Sequence, residues 1–260
     1  MKLKKLKGAR LMRSAIFRQY DTKWGTLPYP TKSYSFANNG CGCCSCTHLI
    51  IEQDKYKAFT PKDVRPYMVN QGFATKGNGT TWNGITKTLE HYGFKVTKPN
   101  ISSSMSAAWT ELNKGNRAGI LLFRSGTRGG VTWTSGGHYV AFLNYKVQDG
   151  KHYFYTKDSG GRKNDGWHCY ETTMKGLLPQ MWIVELPEIK EGKYYTVGKT
   201  YTLQEAMNVR TGASTKYKKV GSLGKGTRVK CLQTSADGKW IRYGKNKWVC
   251  GRGKTKVYIK

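Results

Sequence analysis

Near Gly115 the hydrophobic period of the chain changes, and this switch limits the folds open to it. Before it, apolar residues recur at helical spacing between helix start and stop signals. After it they come in short, dense, β-rich runs. The segment TPKDVRPYMVNQG predicts a short helix with Thr60 as N-cap and Pro61 at the first helical position, where a missing N–H costs nothing. TTWNGITKTLEHYG predicts a second helix closed by Gly93, and MSAAWTELNKG a third closed by Gly115. AGILLF, HYVAFLNYKV, KHYFYTKD and QMWIVEL then read as strands, with turns at Asp149-Gly150 and Gly160-Gly161. Helices first and strands later predict an α+β domain ending near Leu186.

Upstream, QYDTKWGTLPYPTKSYSFANNG reads as loop, broken by Pro28, Pro30 and Gly40. CCSCTHLIIEQ follows as a helix with Cys44, Thr47, His48 and Ile51 on one face. From Tyr194 onward, short strands alternate with turns at Gly212, Gly224-Lys225-Gly226 and Asp237-Gly238, and about 65 residues of this kind suit a small β-barrel. The expected organisation is a basic tail at 1–14, a first domain at 15–186, a polar linker at 187–193 and a second domain at 194–260.

Composition sets further bounds. Hydrophobic residues at 38% and aromatics at 13% are enough for a core and exclude wholesale disorder. The net charge of +30 suits polyanionic partners: nucleic acid, anionic lipid, or the teichoic acids of a bacterial wall. Between Lys193 and Lys260 there are 17 Lys/Arg against 2 Asp/Glu, so half of the excess, +15, sits in the last quarter. Seven cysteines, an odd number, argue against a secreted disulfide scaffold. No run is apolar enough to span a membrane, and no membrane insertion is expected. MKLKKLKGARLMRSAIFRQ has the basic start of a signal peptide without the apolar middle, because Arg10, Arg13 and Arg18 interrupt it. The expected place of synthesis is a reducing cytosol.

The chemistry concentrates in NNGCGCCSCTHLI. Cys41 lies between glycines at a predicted helix start, where the helix dipole favours thiolate. A thiolate needs a base, and His138 follows two glycines at the start of a strand. A third group must orient the imidazole, and Asp158 ends the next strand. The two are a hairpin's length apart, and neighbouring strands sit about 4.8 Å from each other, so their side chains can meet. Asn144 and Asp165 are rivals for the role of Asp158, and His152 and His168 for that of His138. Zinc ligation by Cys41, Cys43, Cys44, Cys46 or His48 is the competing reading. Its spacings of zero and one residue do not match structural zinc sites, so no metal and no cofactor is expected. Cys169, Cys231 and Cys250 read as structural, and Arg210 as internal to the second domain. Trp82, Trp109, Trp133 and Trp167 fit a substrate groove or the core equally well.

QYDTKW, NNGCGCCSCTHLI, GGHYVAFLNY and KDS together resemble the papain-like cysteine peptidases of the bacteriocin-processing type, in their bacterial and phage branch, over residues 15–186. The resemblance implies Cys41 as nucleophile, His138 as base, Asp158 as the orienting acid and Gln19 as donor to the oxyanion. The chain departs from the pattern after Gly42, with Cys43-Cys44-Ser45-Cys46 where the family usually has Pro-Thr and then small, apolar residues. MNVRTGAS, GSLGKGTRVK and KWVCGRG resemble bacterial SH3-like domains, which commonly bind the cell wall, with Ala213 in place of a proline. The two resemblances in series imply the layout of a phage endolysin: a papain-like domain followed by an SH3-like barrel, made in the host cytoplasm and cutting an amide of peptidoglycan. The expected partners are peptidoglycan and teichoic acid rather than nucleic acid. The alternatives are a leader-peptide processing protease and a basic binding module with a dead site. The bond cut, the wall ligand and the oligomeric state are not written in the sequence.

Overall fold

The computed structural model describes residues 15–187, 194–235, 237–253 and 256–260. The basic tail expected at 1–14 and residues 188–193 of the expected linker lie outside the described residues. The chain divides into two compact units between residues 188 and 189.

The first unit is α+β. Its helices are α1 (Phe36–Asn39), α2 (Cys41–Ile50), α3 (Pro61–Asn70), α4 (Trp82–His91), α5 (Ser106–Leu112) and α6 (Tyr170–Thr173). Local chemistry explains several of the ends. The Asp63 carboxylate accepts the Thr60 N–H at 2.8 Å, closing the start of α3 ahead of Pro61. Thr81 caps α4 by accepting the Gly84 N–H at 2.9 Å. Gly93 and Gly115 follow α4 and α5 with φ of 88° and 78°, values a side chain would resist. Within the stretch expected to be loop, α1 forms a single turn of helix that leads into α2.

The strands are β1 (Ala74–Thr75), β2 (Gly79–Thr80), β3 (Val96–Thr97), β4 (Arg117–Phe123), β5 (Gly126–Arg128), β6 (Val131–Thr134), β7 (His138–Gln148), β8 (Lys151–Lys157), β9 (Gly166–Cys169) and β10 (Gln180–Glu185). Six of them form one antiparallel sheet in the order β3-β10-β4-β7-β8-β9. Asp149 and Gly150, both with positive φ, make the tight turn between β7 and β8.

β4 shows why its sequence is apolar without alternation: both faces are covered. Ile120 and Leu122 join a cluster with α2, α3 and α4, while Leu121 and Phe123 join a second cluster with Ala108 and Leu112 of α5. The sheet thus lies between helices. α2 is the centre of the first cluster, and all ten of its residues are buried. The one-face pattern expected for Cys44, Thr47, His48 and Ile51 is therefore replaced by burial all round. Small residues make this possible: a Cβ on Gly42 would fall 2.5 Å from Thr80 Oγ1 and 3.1 Å from Ile85 Cδ1.

The second unit is all β. β11 (Thr200–Thr202) pairs with β14 (Arg228–Lys230). A five-stranded sheet takes β13 (Lys219–Leu223), β12 (Met207–Arg210), β17 (Lys247–Cys250), β16 (Trp240–Gly244) and β15 (Gln233–Thr234) in that order. Its own core includes Tyr195, Leu203, Val209, Val229, Ile241 and Val249. Arg210 sits at a bulge and donates to the Tyr217 carbonyl at 2.9 Å. Among the described residues of both units, no helix is long and apolar enough to cross a membrane. All seven cysteines are free.

Candidate active site

Cys41 is the first residue of α2, and Gly40 is its N-cap. The helix start is fixed from two sides. A Cβ on Gly40 would lie 2.5 Å from the Phe36 ring, so only glycine lets α1 run into α2 there. Ser45, one turn on, donates to the Tyr139 carbonyl at 3.1 Å and ties α2 to β7.

His138 opens β7 opposite Phe123 of β4. Its distance from Asp158 depends on a β-bulge. From Gln148 back to Asn144 the β7–β8 hairpin is in regular register, with Asn144 opposite Tyr155; beyond the bulge Phe142 faces Thr156 and Ala141 faces Lys157. Leu143 is the extra residue. One step further, this register sets Asp158 across from Val140, on the same face as His138. Without the bulge Asp158 would stand across from Ala141, and a one-residue slip turns a side chain to the other face. The outcome is a contact of 2.7 Å between His138 Nε2 and Asp158 Oδ1.

Nε2 is thus committed to the carboxylate, which leaves Nδ1 as the ring nitrogen available to the thiol of Cys41, whose proximity helps raise the imidazole. The three groups are buried, Asp158 completely. Burial pushes the Cys41 thiol up, but the hydrogen bond and charge of His138, with the main-chain N–H groups of Tyr139 and Gly42, outweigh it and hold the thiol below its ordinary value. Burial alone would lower the imidazole; Asp158 and Cys41 instead raise it to about 10. Burial would raise the Asp158 carboxyl, yet His138 and the N–H groups of Gly160 and Asn164, at 2.7 and 3.0 Å, hold it below the usual carboxylate range. All three shifts act in the direction that favours a thiolate–imidazolium pair backed by a carboxylate.

The neighbouring thiols behave in the opposite way. Burial raises Cys43, Cys44 and Cys46, and none of them meets the His138 ring. Cys43 instead lies 3.8 Å from the Pro61 carbonyl. His48 is fully buried, accepts the Phe17 N–H on Nε2 at 2.9 Å, and is lowered to about 3 by burial and by Lys157 and Arg18. It is therefore neutral and structural.

The rivals lie elsewhere. His152 stacks on Trp109 at 3.8 Å and meets Glu171 at 2.6 Å. His168 packs edge-on against Trp133. Asn144 Oδ1 accepts the N–H of Tyr145. Asp165 meets Arg18 and the main chain of Asp158 rather than His138. Trp133 stacks on Phe123 and also lines the cleft of Cys41 and His138, so it serves core and groove together; Trp109 packs on Tyr170 beside Phe154, and Trp82 and Trp167 are exposed and do not line that cleft.

Cys41 and His138 open onto a cleft of about 190 Å³ shared with Gln19, Asn38, Gly161 and Arg162. Gln19 donates from Nε2 to the Ala37 carbonyl at 2.6 Å, which fixes the amide at the cleft wall and leaves its second N–H. A larger hollow of about 350 Å³ near Gln53, Lys95 and Glu185 contains no cysteine or histidine, and the chemistry lies in the smaller one. Gly160 belongs to the site for a steric reason: a Cβ there would lie 3.0 Å from His138 Nε2 and 3.1 Å from Asp158 Oδ1. Sequence reasoning missed Gly160 as a contact, the Tyr139 N–H and the Arg18–Asp165 pair. Arg18 stood out in the sequence only as an interruption of an apolar stretch.

The chain matches no protein-family model and no curated protein. Among solved structures it is similar to the peptidase domain of Streptococcus ComA, a bifunctional ABC transporter involved in a quorum-sensing pathway. That match has 14% identity over 58% of this chain and 93% of that one, with a TM-score of 0.40. It is also similar to Ly7917 with the hydrolysing product of MDP, at 14% identity, 72% and 77% coverage and a TM-score of 0.22. A second Ly7917 structure gives 15% identity, 72% and 75% coverage and a TM-score of 0.23. Likeness at this level leaves the chemistry to rest on the side chains themselves.

Proposed function

We propose that this chain is a papain-like cysteine peptidase that hydrolyses an amide bond of bacterial peptidoglycan through an acyl-enzyme on Cys41. The observation that carries the reading is the buried series Cys41–His138–Asp158, with His138 on the Asp158 carboxylate at 2.7 Å and Cys41 and His138 lining one cleft. In this mechanism the Cys41 thiolate attacks the scissile carbonyl carbon, and the carbonyl π electrons move to oxygen. The free N–H of Gln19, with main-chain N–H groups at the start of α2, stabilises that oxyanion. The C–N bond then breaks as His138 gives its proton to the leaving amine, leaving a thioester. Water adds to the thioester with His138 as base, the C–S bond breaks, and the carboxyl product leaves the ion pair restored. Asp158 holds the ring on Nε2 throughout and stabilises its charge.

The wall is the proposed substrate because of charge and layout. The +30 chain suits an anionic polymer, and half of that excess falls in the last 68 residues. The SH3-like resemblance of that segment supports a role in wall attachment, which would raise the local concentration of the first unit at its polymer. Zymography on purified peptidoglycan, with mass analysis of the fragments, tests the proposal and names the bond. Clearing by the wild type and none by Cys41→Ala is the expected result. Cleavage of a leader-bearing precursor peptide without wall clearing would favour the processing-protease reading, and no cleavage of either would leave a binding module.

A further inference from the structure

We propose that Arg18 and Asp165 are positioning residues of this site, gripping the main chain on both sides of the Asp158 side chain so that its carboxylate stays on the His138 ring; the assignment rests on the peptidase reading above. The Asp158 N–H donates to Asp165 Oδ1 at 3.0 Å. The Asp158 carbonyl accepts from Arg18 Nη1. Arg18 Nη2 closes the ring on Asp165 Oδ2, with Nη1 also 3.4 Å from Oδ1. Both polar groups of the Asp158 residue's main chain are thus taken, one by each member of the ion pair. The side chain between them is left to accept from His138, Gly160 and Asn164.

Arginine suits this place for a geometric reason. Its planar fork holds a carbonyl and a carboxylate at once, which a single ammonium cannot do. Its charge is also balanced. An isolated guanidinium behind Asp158 would draw on that carboxylate and weaken its hold on the imidazolium, whereas Asp165 neutralises it. The pair is mostly buried, at 19% and 24% side-chain exposure, so solvent screens it less than a surface pair. The segment carrying Arg18 is itself anchored. The Phe17 N–H donates to His48, the Gln19 N–H to the Ser159 carbonyl at 3.0 Å, and Lys157 Nζ to the Ala15 carbonyl at 2.7 Å. Gln19, proposed to receive the oxyanion, therefore rides on the residue next to the clamp. One short segment fixes both the orienting acid and the oxyanion donor, although neither Arg18 nor Asp165 touches the reacting atoms.

The test uses the full chain with Arg18→Met, Asp165→Asn and the double variant. The titration of His138 is followed by NMR of ¹³C-labelled histidine, alongside wall-hydrolysis kinetics and the melting temperature. The titratable and charged groups around the ring are Cys41 from α2, Asp158 from the end of β8 and Arg162 across the cleft; the variants leave Cys41 and Arg162 unchanged, so the midpoint reports on how well Asp158 is held. Each single variant is expected to lower that midpoint by about half a unit or more. Each should also lower kcat roughly tenfold with KM little changed, as for a misaligned catalytic group. The double variant should lose no more than the worse single one, because the two residues form one clamp. Asp165→Asn is nearly isosteric and keeps an acceptor for the Asp158 N–H, so it decides the matter if Arg18→Met does not fold. Folded variants with lower melting temperature but unchanged midpoint and kcat would overturn the proposal and leave a purely structural ion pair. The titration needs no substrate, so failure to cleave peptidoglycan would count against the wall-hydrolase reading and leave the clamp readable.

Discussion

Replacing Asp158 by asparagine separates its charge from its shape. The carboxylate accepts three hydrogen bonds: His138 Nε2 and the Gly160 N–H on Oδ1, both at 2.7 Å, and the Asn164 N–H on Oδ2 at 3.0 Å. An amide has one acceptor oxygen. With that oxygen toward His138 and Gly160, its NH₂ faces the Asn164 N–H, donor against donor. The reverse orientation opposes two donors and is worse. The better orientation leaves one buried N–H unsatisfied, a cost of about 1–3 kcal/mol in stability at neutral pH. That deficit carries a sign in pH. The folded Asp158 carboxyl is depressed, so its stabilisation is present above the unfolded value of about 3.9 and fades as pH falls through the folded one. The variant should therefore approach the wild type in stability as the solution becomes acidic.

The same substitution exchanges a charged hydrogen bond to His138 for a neutral one, a difference of about 1 to 1.5 kcal/mol, or about one pH unit. The imidazole, held at about 10 in the wild type, should lose its proton about one unit earlier. The ring is fully backed by a buried carboxylate, so solvent screening does not reduce this figure. The assay is ¹³C NMR of histidine-labelled protein, with the signal assigned through His138→Gln, and guanidinium denaturation at neutral and acidic pH. A folded Asp158→Asn protein whose His138 midpoint is unmoved would show that this contact does not set the charge of the imidazole.

Three further outcomes follow from other contacts. Gly160→Ala should slow hydrolysis on the order of tenfold to a hundredfold with little change in melting temperature, because its Cβ would press on both members of the 2.7 Å His138–Asp158 bond; unchanged kinetics would mean that the loop yields freely. Cys46→Ser buries a hydroxyl among apolar neighbours and should cost about 1–3 kcal/mol in denaturant titration while leaving iodoacetamide labelling of Cys41 intact, and a loss of labelling would contradict a packing role for Cys46. Residues 194–260 alone should bind purified Gram-positive walls at low salt, with part of the binding lost as the screening length falls from about 10 Å at 0.1 M to about 3 Å at 1 M; no binding at low salt, or binding to DNA instead, would remove the wall-attachment role.

What the sequence revealed of the fold was what local chemistry determines. α3 and α4 were legible because Thr60, Asp63, Pro61 and Thr81 satisfy helix ends without help from distant residues. β4 and β7 were legible because a run of large apolar side chains bounded by glycine has few other uses. The hairpin of β5 and β6 was not, since Gly126–Arg128 is three residues long and mostly exposed, and Val131–Thr134 is four residues long with one buried side chain, Trp133. The turn α1 was hidden among Pro28, Pro30 and Gly40. α2 was recognised as a helix but not as a buried one. Its surroundings arrive from α3, α4 and β7, which lie far along the chain, and cysteine is as much at home on one buried face as on all of them.

The site was legible in its residue types and only partly in its geometry. Four thiols in six positions offered no local reason to single out one beyond the glycines beside Cys41. The structure supplies the reason in its surroundings: burial opposes charge on the other three, and Cys43 has the Pro61 carbonyl beside it, whereas Cys41 meets an imidazole and two N–H groups. The pairing of His138 with Asp158 is a sharper case. A tight turn at Asp149-Gly150 with unbroken register would place Asp158 across from Ala141 and turn it away from His138. Counting residues along the hairpin therefore gives the right distance and the wrong face. The bulge at Leu143 corrects the face, and the packing on either side records it: Val140 and Phe142 enter the second cluster before the bulge, and Tyr145, three residues on from Phe142, packs against it after. Nothing in HYVAFLNYKV marks Leu143 as the extra residue. The bulge is settled by the need of Val140, Phe142, Tyr145 and Phe154 to share one side of the sheet, and the orientation of the acid at the far end of the hairpin follows from that packing.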